Sequence, residues 1–173
     1  MNKINKVDFF CIGAQKAGTT TLHDILVQHP QLYLPSKKEA HFFDINERYT
    51  KGLDYYFKTF YNSYSGQKIV GNINPNLQID NRSLDRILET FGDTVKIIFI
   101  LRDPVKRAYS HYLMSKHRGY EDLDFLEALA IENTRIHNPI YRKYYRTKEV
   151  GHFEKNHFGY VYRSRYIRTI EHL

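Results

Sequence analysis

The sequence predicts an α/β fold in which a central parallel β-sheet is flanked by helices. Candidate strands cover residues 7–12, 31–34, 68–72 and 96–101, and the last of these is a continuous apolar, β-branched run typical of a buried parallel strand. Segments with helical periodicity lie between and after them, at residues 19–28, 53–61, 82–91, 104–117, 123–136 and 160–173. Strands that alternate with helices pair in parallel through right-handed crossovers, which predicts one doubly covered sheet.

The loop after the first apolar run has the composition of an anion-binding loop. Gly13 and Gly18 flank Lys16, and the next helix opens on Thr19–Thr21. A strand, a glycine-containing loop and a helix N-terminus direct backbone N–H groups and the positive end of a helix dipole at one small volume. The glycine spacing is P-loop-like, but Gly18 is followed by threonine and not by the lysine that clamps a metal-bound triphosphate. The loop therefore favours a 5′-phosphate with one more charged group, bound without metal.

A second anion-binding feature follows the run at residues 96–101. Arg102 stands at the carboxyl end of this candidate strand, where ligands bind in open α/β sheets. Asp103 and Pro104 suit the N-cap and the first position of a helix whose first two turns contain Ser110. An arginine fork and a serine hydroxyl together predict a phosphate site.

Both motifs resemble those of sulfotransferases that use 3′-phosphoadenosine-5′-phosphosulfate (PAPS), in particular heparan-sulfate-type and related bacterial enzymes. The segment Gln15-Lys16-Ala17-Gly18-Thr19-Thr20 is similar to the family loop that holds the 5′-phosphosulfate, and Thr21 extends it. The second motif, whose arginine and serine hold the 3′-phosphate in the family, is similar to Arg102, Asp103, Pro104, Arg107, Ala108, Ser110 and Tyr112. Three intervening segments also resemble the family: His29-Pro30, Lys38–Phe43 and Tyr49–Tyr56.

The resemblance implies in-line sulfuryl transfer from PAPS to a hydroxyl or amine, with a carbohydrate as the expected acceptor and 3′-phosphoadenosine-5′-phosphate (PAP) as the product. Lys16 and the loop amides are expected to stabilise the charge that develops in the transition state. The family's general-base glutamate falls on Asn72, and an amide cannot take up a proton at neutral pH. Asn72 is therefore expected to orient the acceptor, while His41 or Glu39 serves as the base. No histidine spacing indicates a metal site.

Composition is compatible with this interpretation and leaves two alternatives open. The 173 residues carry a formal net charge of +7, which suits an anionic cofactor and an acidic acceptor. A P-loop kinase for a small molecule is one alternative, and a non-catalytic domain that binds nucleotide or sulfated glycan is the other. No nucleic-acid partner is expected, since most aromatic residues fall in apolar runs. With one cysteine, no membrane-length apolar run and no visible signal peptide, the sequence predicts a cytoplasmic protein.

The chain is expected to be a single domain over residues 1–173 that stops early by the family's measure. Residues 138–158 are expected to form the least regular part, either a substrate loop or a surface loop.

Overall fold

The computed structural model describes residues 4–138, 149 and 151–173. The described chain divides into two compact units. The first contains the residues up to Ala14 together with Gly18–Ile100, and the second contains Gln15–Ala17 and the residues from Leu101 onward.

The first unit is built on a parallel sheet of four strands in the order β2-β3-β1-β4. The strands are β1 (Phe9–Gly13), β2 (Leu32–Tyr33), β3 (Ile69–Ile73) and β4 (Lys96–Phe99). The register places Phe9 opposite Gly71 on one side and opposite Lys96 on the other. The predicted parallel α/β sheet is thereby confirmed.

Four helices of the first unit complete its two apolar layers. They are α1 (Thr19–Leu26), α2 (Asn46–Tyr49), α3 (Gly52–Phe60) and α4 (Asn81–Phe91). Leu22 and Leu26 of α1 pack with Phe9 and Cys11 on one face of the sheet. On the other face an aromatic layer surrounds Phe10, with ring contacts to Phe43 and Phe91 at centroid distances of 5.5 and 5.6 Å. Alternate residues of β1 thus face opposite layers, as the two-residue period of a strand requires.

The second unit is helical in its described part. Its elements are α5 (Pro104–His117), α6 (Phe125–His137), α7 (His152–His157), a 3-10 helix (Tyr162–Ser164) and α8 (Ile167–Ile170). Asp103 caps α5 through Lys106 N at 2.8 Å, as the sequence predicts, and Asp124 forms a capping box with Glu127 at the start of α6. A second apolar core gathers Ala108, Tyr112, Ala128, Phe158 and Tyr160.

Two parts of the chain differ from the expected elements. The prediction of a continuous helix at 160–173 is wrong. Arg165 has a ψ of 69° and separates the 3-10 helix from α8. The backbone N–H groups of Val161 and Tyr162 donate to the buried carboxylate of Glu132, which fixes this irregular turn from outside the segment. Helix α7 lies in the stretch expected to be irregular, while residues 139–148 and 150 lie outside the described residues.

Within the described ranges, no helix combines the length and the apolar character needed to cross a bilayer.

Candidate active site

The candidate anion loop connects β1 to α1 through Gln15–Gly18. Gly18 is the N-cap of α1 with a φ of 99°, a left-handed conformation that favours glycine. No side chain caps this helix end, and its first turn contains no acidic residue. The first N–H groups of a helix have no partners within the helix, so this end of α1 offers uncapped donors and the positive end of the dipole. An oxygen of a phosphate or sulfonate fits such donors.

Lys16 lies among positive charges in the second unit. Burial, together with the guanidinium groups of Arg118 and Arg102, lowers the pKa of Lys16 below its ordinary value. Arg102 Nη1 donates to the carbonyl oxygen of Lys16 at 2.9 Å. Arg118, at the C-terminal end of α5, is a member of this cluster that sequence reasoning missed, because it belongs to neither motif.

The second anion motif begins α5 as predicted. Arg102 is exposed, and Ser110 is half-buried in the second turn of the helix. The Ser110 hydroxyl makes no hydrogen bond to another part of the chain that the structure describes. Both side chains therefore retain hydrogen-bonding capacity for a ligand.

Arg107 of the same motif is fully buried and acts within the protein. Its Nε donates to Ser164 Oγ at 2.6 Å, its Nη2 donates to the carbonyl oxygen of Tyr160, and its Nη1 lies 3.5 Å from the carbonyl oxygen of Gln15. Burial lowers the pKa of Arg107 to about 10. These three contacts and its complete burial make Arg107 a structural arginine that stabilises the backbone around the motif.

A carboxylate–imidazole–carboxylate network lies in the first unit, after β2. His41 Nε2 contacts Glu39 Oε2 at 3.2 Å, and His41 Nδ1 contacts Asp44 Oδ2 at 2.6 Å. Asn74 Nδ2 donates to the other oxygen of Asp44 at 3.0 Å. His41, Asp44 and Asn74 are buried, whereas the Glu39 side chain is 29% exposed. Glu39 is thus the member of the network that solvent or a substrate reaches.

The backbone of this segment is constrained. Glu39 and His41 have φ values of 64° and 49°, in the left-handed region that non-glycine residues seldom adopt. Two hydrogen bonds restrain this backbone segment. Glu39 N donates to the carbonyl oxygen of Ile73 at 3.3 Å, and Arg48 Nη1 donates to the carbonyl oxygen of Ala40 at 2.8 Å. Such conformations persist only where the surroundings enforce them, and they concentrate at functional sites.

Lys38 links this network to the start of α1. Its Nζ lies 3.2 Å from Thr20 Oγ1 and 3.4 Å from Glu39 Oε1. A candidate base is therefore connected through one ammonium group to the start of the helix that follows the anion loop. The segment Lys38–Phe43 resembles the family in sequence, but its spacing alone assigns no role to Lys38, Asp44 or Asn74.

Asn72 lies in β3, and its amide makes contacts other than those of this network. Its side chain is 3% exposed, and its Nδ2 donates to the hydroxyls of Tyr56 at 3.1 Å and Tyr61 at 3.2 Å. Burial raises the pKa of both tyrosines, which keeps them neutral. The structure gives the Asn72 amide a packing role, and its orientation of an acceptor stays a prediction.

Among the described residues, no cluster of histidine, cysteine and carboxylate side chains has the arrangement of a metal site.

Comparisons with known proteins agree with these motifs. The family model described as "Sulfotransferase domain" matches residues 6–170, which include both units. A membrane-associated sulfotransferase, kil1, of Dictyostelium discoideum is 40% identical over 110 residues, covering 62% of this chain and 23% of that protein. Heparan sulfate glucosamine 3-O-sulfotransferase 5 of Mus musculus is 33% identical over 148 residues, covering 83% of this chain and 42% of that protein.

A solved structure is also similar. The crystal structure of a sulfotransferase from Alicyclobacillus acidocaldarius has a TM-score of 0.69 and 29% identity, covering 93% of this chain and 68% of that one. The chain spans less than half the length of the two curated relatives named above. With a family model that matches nearly its whole length and a bacterial sulfotransferase that shares its fold, this chain belongs to the sulfotransferase family.

Proposed function

We propose that this chain is a PAPS-dependent sulfotransferase domain that sulfates a hydroxyl or amine of a carbohydrate. The observation that carries the proposal is the contact series from Thr20 at the start of α1, through Lys38, to the Glu39–His41–Asp44 network. It connects a helix end suited to an anionic donor with a carboxylate suited to deprotonate an acceptor.

The residues available fit the cofactor. Lys16 and the uncapped N-terminus of α1 would bind its 5′-phosphosulfate, and Arg102 with Ser110 would bind its 3′-phosphate. When bound, PAPS supplies the sulfuryl group that is transferred. The resemblance of both motifs to those of PAPS-dependent sulfotransferases supports this assignment, which needs no metal.

Glu39 is the proposed general base. Its carboxylate would accept the proton of the attacking hydroxyl or amine, and His41 would hold that carboxylate in place through Nε2. Asp44, itself oriented by Asn74, fixes the imidazole through Nδ1. Lys16 and the first N–H groups of α1 would stabilise the negative charge that develops during transfer.

A carbohydrate acceptor is supported by the named relatives that act on heparan sulfate and by the net charge of +7. We also propose that residues 1–173 form a single domain, since the family match includes both units. The cytoplasmic location expected from the sequence stays a prediction that cell fractionation would test.

Two measurements test the proposal. Calorimetric titration should detect binding of PAP without metal and little binding of ATP with Mg²⁺. Transfer of labelled sulfate from PAPS should then occur to glucosamine-containing oligosaccharides and not to a simple phenol. Binding of ATP with Mg²⁺ in preference to PAP would favour a kinase. Glycan binding with no transfer would favour a non-catalytic module.

A further inference from the structure

A direct contact connects the two candidate anion motifs within the second unit. Arg102 Nη1 donates to the carbonyl oxygen of Lys16 at 2.9 Å. Arg102 belongs to the motif proposed for the 3′-phosphate, whereas Lys16 belongs to the loop proposed for the sulfonate. One guanidinium group therefore has two roles open to it, since it carries five N–H donors and this bond uses one.

The backbone of Arg102 is held by a residue near the C-terminal end of the chain, Tyr166. The Tyr166 hydroxyl donates to the carbonyl oxygen of Arg102 at 2.9 Å. Burial raises the pKa of Tyr166, so its hydroxyl keeps the proton that makes this bond. The backbone from which the Arg102 side chain extends is thus fixed independently of any ligand.

A second arginine supports the neighbouring residue of the loop. Arg107 Nη1 lies 3.5 Å from the carbonyl oxygen of Gln15, and Arg107 is anchored by Ser164 Oγ and by the carbonyl oxygen of Tyr160. Two successive carbonyl groups of the loop therefore accept hydrogen bonds from arginines: Gln15 from Arg107 of α5, and Lys16 from Arg102, which precedes α5. Gln15–Ala17 and both arginines belong to the second unit.

The loop needs such support because Lys16 has a φ of 70°. A left-handed conformation costs a residue with a Cβ atom roughly 1–2 kcal/mol. It persists where surrounding contacts enforce it. The Arg102 bond acts at the carbonyl group of the strained residue, so its loss removes a restraint at the place where the strain lies.

We propose that Arg102 is a positioning residue for Lys16, in addition to its proposed contact with the 3′-phosphate. By holding the Lys16 carbonyl group it keeps the loop in the conformation that presents Lys16 to the 5′-substituent. Occupation of the 3′-phosphate site and order of the loop are then coupled through one side chain. The ligands named here depend on the proposed function, but the effect of Arg102 on the free loop does not.

The first test is hydrogen exchange of the ligand-free protein, followed in peptides that cover residues 14–21. Arg102→Ala should speed exchange of these amides roughly tenfold, the equivalent of about 1.4 kcal/mol. Lys106→Ala is the matched control, because it removes a positive charge from the first turn of α5 and has no side-chain partner in the described chain. Equal exchange in the two variants would overturn the proposal.

Tyr166→Phe covers the case in which Arg102→Ala unfolds. This variant keeps Arg102 and removes the hydroxyl that anchors its backbone, so it should speed exchange in the same peptides by a smaller factor. Unchanged exchange in a folded Tyr166→Phe protein, together with unfolding of Arg102→Ala, would make Arg102 a folding residue and contradict the proposal.

The second test compares calorimetric affinities for PAP and for adenosine 5′-phosphate, which lacks the 3′-phosphate. Arg102→Ala should lower the affinity for both ligands, and for adenosine 5′-phosphate by roughly tenfold. Ser110→Ala should lower only the affinity for PAP. If Arg102→Ala leaves the affinity for adenosine 5′-phosphate unchanged, Arg102 acts on the 3′-phosphate alone and the positioning role is wrong. A wild-type protein that binds neither nucleotide would refute the proposed function, while hydrogen exchange would still decide the role of Arg102.

Discussion

Glu39 and Asn72 show why the choice of a base needs side-chain geometry. The sequence offers Glu39, His41 and Asn72 as candidates near the predicted sheet, and the family resemblance directs attention to position 72. In the structure, position 72 is enclosed by two tyrosines, whereas Glu39 is partly exposed and contacts His41. A residue's place in a motif predicts its element, but burial and contacts determine which side chain a substrate reaches.

Replacement of the proposed base should abolish most turnover and spare ligand binding. Glu39→Gln preserves the shape of the side chain but cannot accept a proton, so kcat should fall by roughly 10²–10⁴-fold. PAP affinity should change little, because the anion motifs are intact. Sulfate transfer and calorimetry measure the two quantities. Glu89→Gln, at an exposed position of α4, is the control, and a kcat equal to that of this control would contradict the assignment.

Asn72 should prove important for stability. Asn72→Ala leaves the hydroxyls of Tyr56 and Tyr61 without the amide that donates to them, and an unsatisfied buried polar group costs roughly 1–3 kcal/mol. Urea denaturation should show that loss in the free energy of unfolding. Asn133→Ala, on the exposed surface of α6, should change it little. Loss of turnover in a variant of unchanged stability would instead favour the predicted role in orienting the acceptor.

At the scale of elements, strand pairing brings β1 and β3 into tight side-chain contact. Gly71 on β3 lies opposite Phe9 on β1, and a Cβ atom added at Gly71 would lie 2.1 Å from the Phe9 ring. The sheet thus depends on a small residue at this register position, and the aromatic ring fills the space that glycine leaves. The run at 68–72 predicts the strand, but the pairing partner of Gly71 is known only from the fold.

Gly71→Ala should therefore destabilise the protein, and a change on the facing strand should relieve it. Overpacking of this kind costs about 1–3 kcal/mol. Combined with Phe9→Leu, the alanine should cost less than it does alone, because leucine lacks the ring atoms that the new Cβ meets. A double-mutant cycle of urea midpoints measures this coupling. If the losses in the free energy of unfolding from the two single changes simply add, the Phe9 ring contact is not the cause of the destabilisation and the prediction is wrong.

At the scale of the whole chain, sequence patterns predict regular elements better than side-chain networks. The apolar runs and the cap at Asp103 predict β1, β4 and α5 closely, because each depends on local composition. The break near Arg165 could not be predicted in this way, since a buried carboxylate from α6 takes the N–H groups of Val161 and Tyr162. The roles of Arg107 and Arg118 likewise depend on contacts between residues distant in sequence.

The buried polar network of the second unit has a consequence for stability against acid. His111 is fully buried, and its Nε2 donates to the carbonyl oxygen of Asn156 at 3.0 Å. Its Nδ1 has no hydrogen-bond partner among the described residues. Burial and the nearby charges of Arg163 and Arg107 lower the pKa of His111 well below its ordinary value of 6.5. The folded protein therefore holds His111 neutral where an unfolded chain would protonate it.

Stability should accordingly fall as pH drops below about 6.5, because the unfolded state then binds a proton that the folded state excludes. The loss is at most about 1.4 kcal/mol per pH unit and continues until the folded protein takes up the proton. His111→Gln retains a donor for Asn156 and removes the titrating group, so its free energy of unfolding should fall less between pH 7 and pH 5.

Burial raises the pKa of Glu132, an effect of opposite sign, but this carboxyl is present in both proteins and cancels in the comparison. Urea denaturation at several pH values, with the exposed His137→Gln as control, measures the difference. Identical pH dependence of His111→Gln and wild type would show that His111 does not govern the acid sensitivity of this unit.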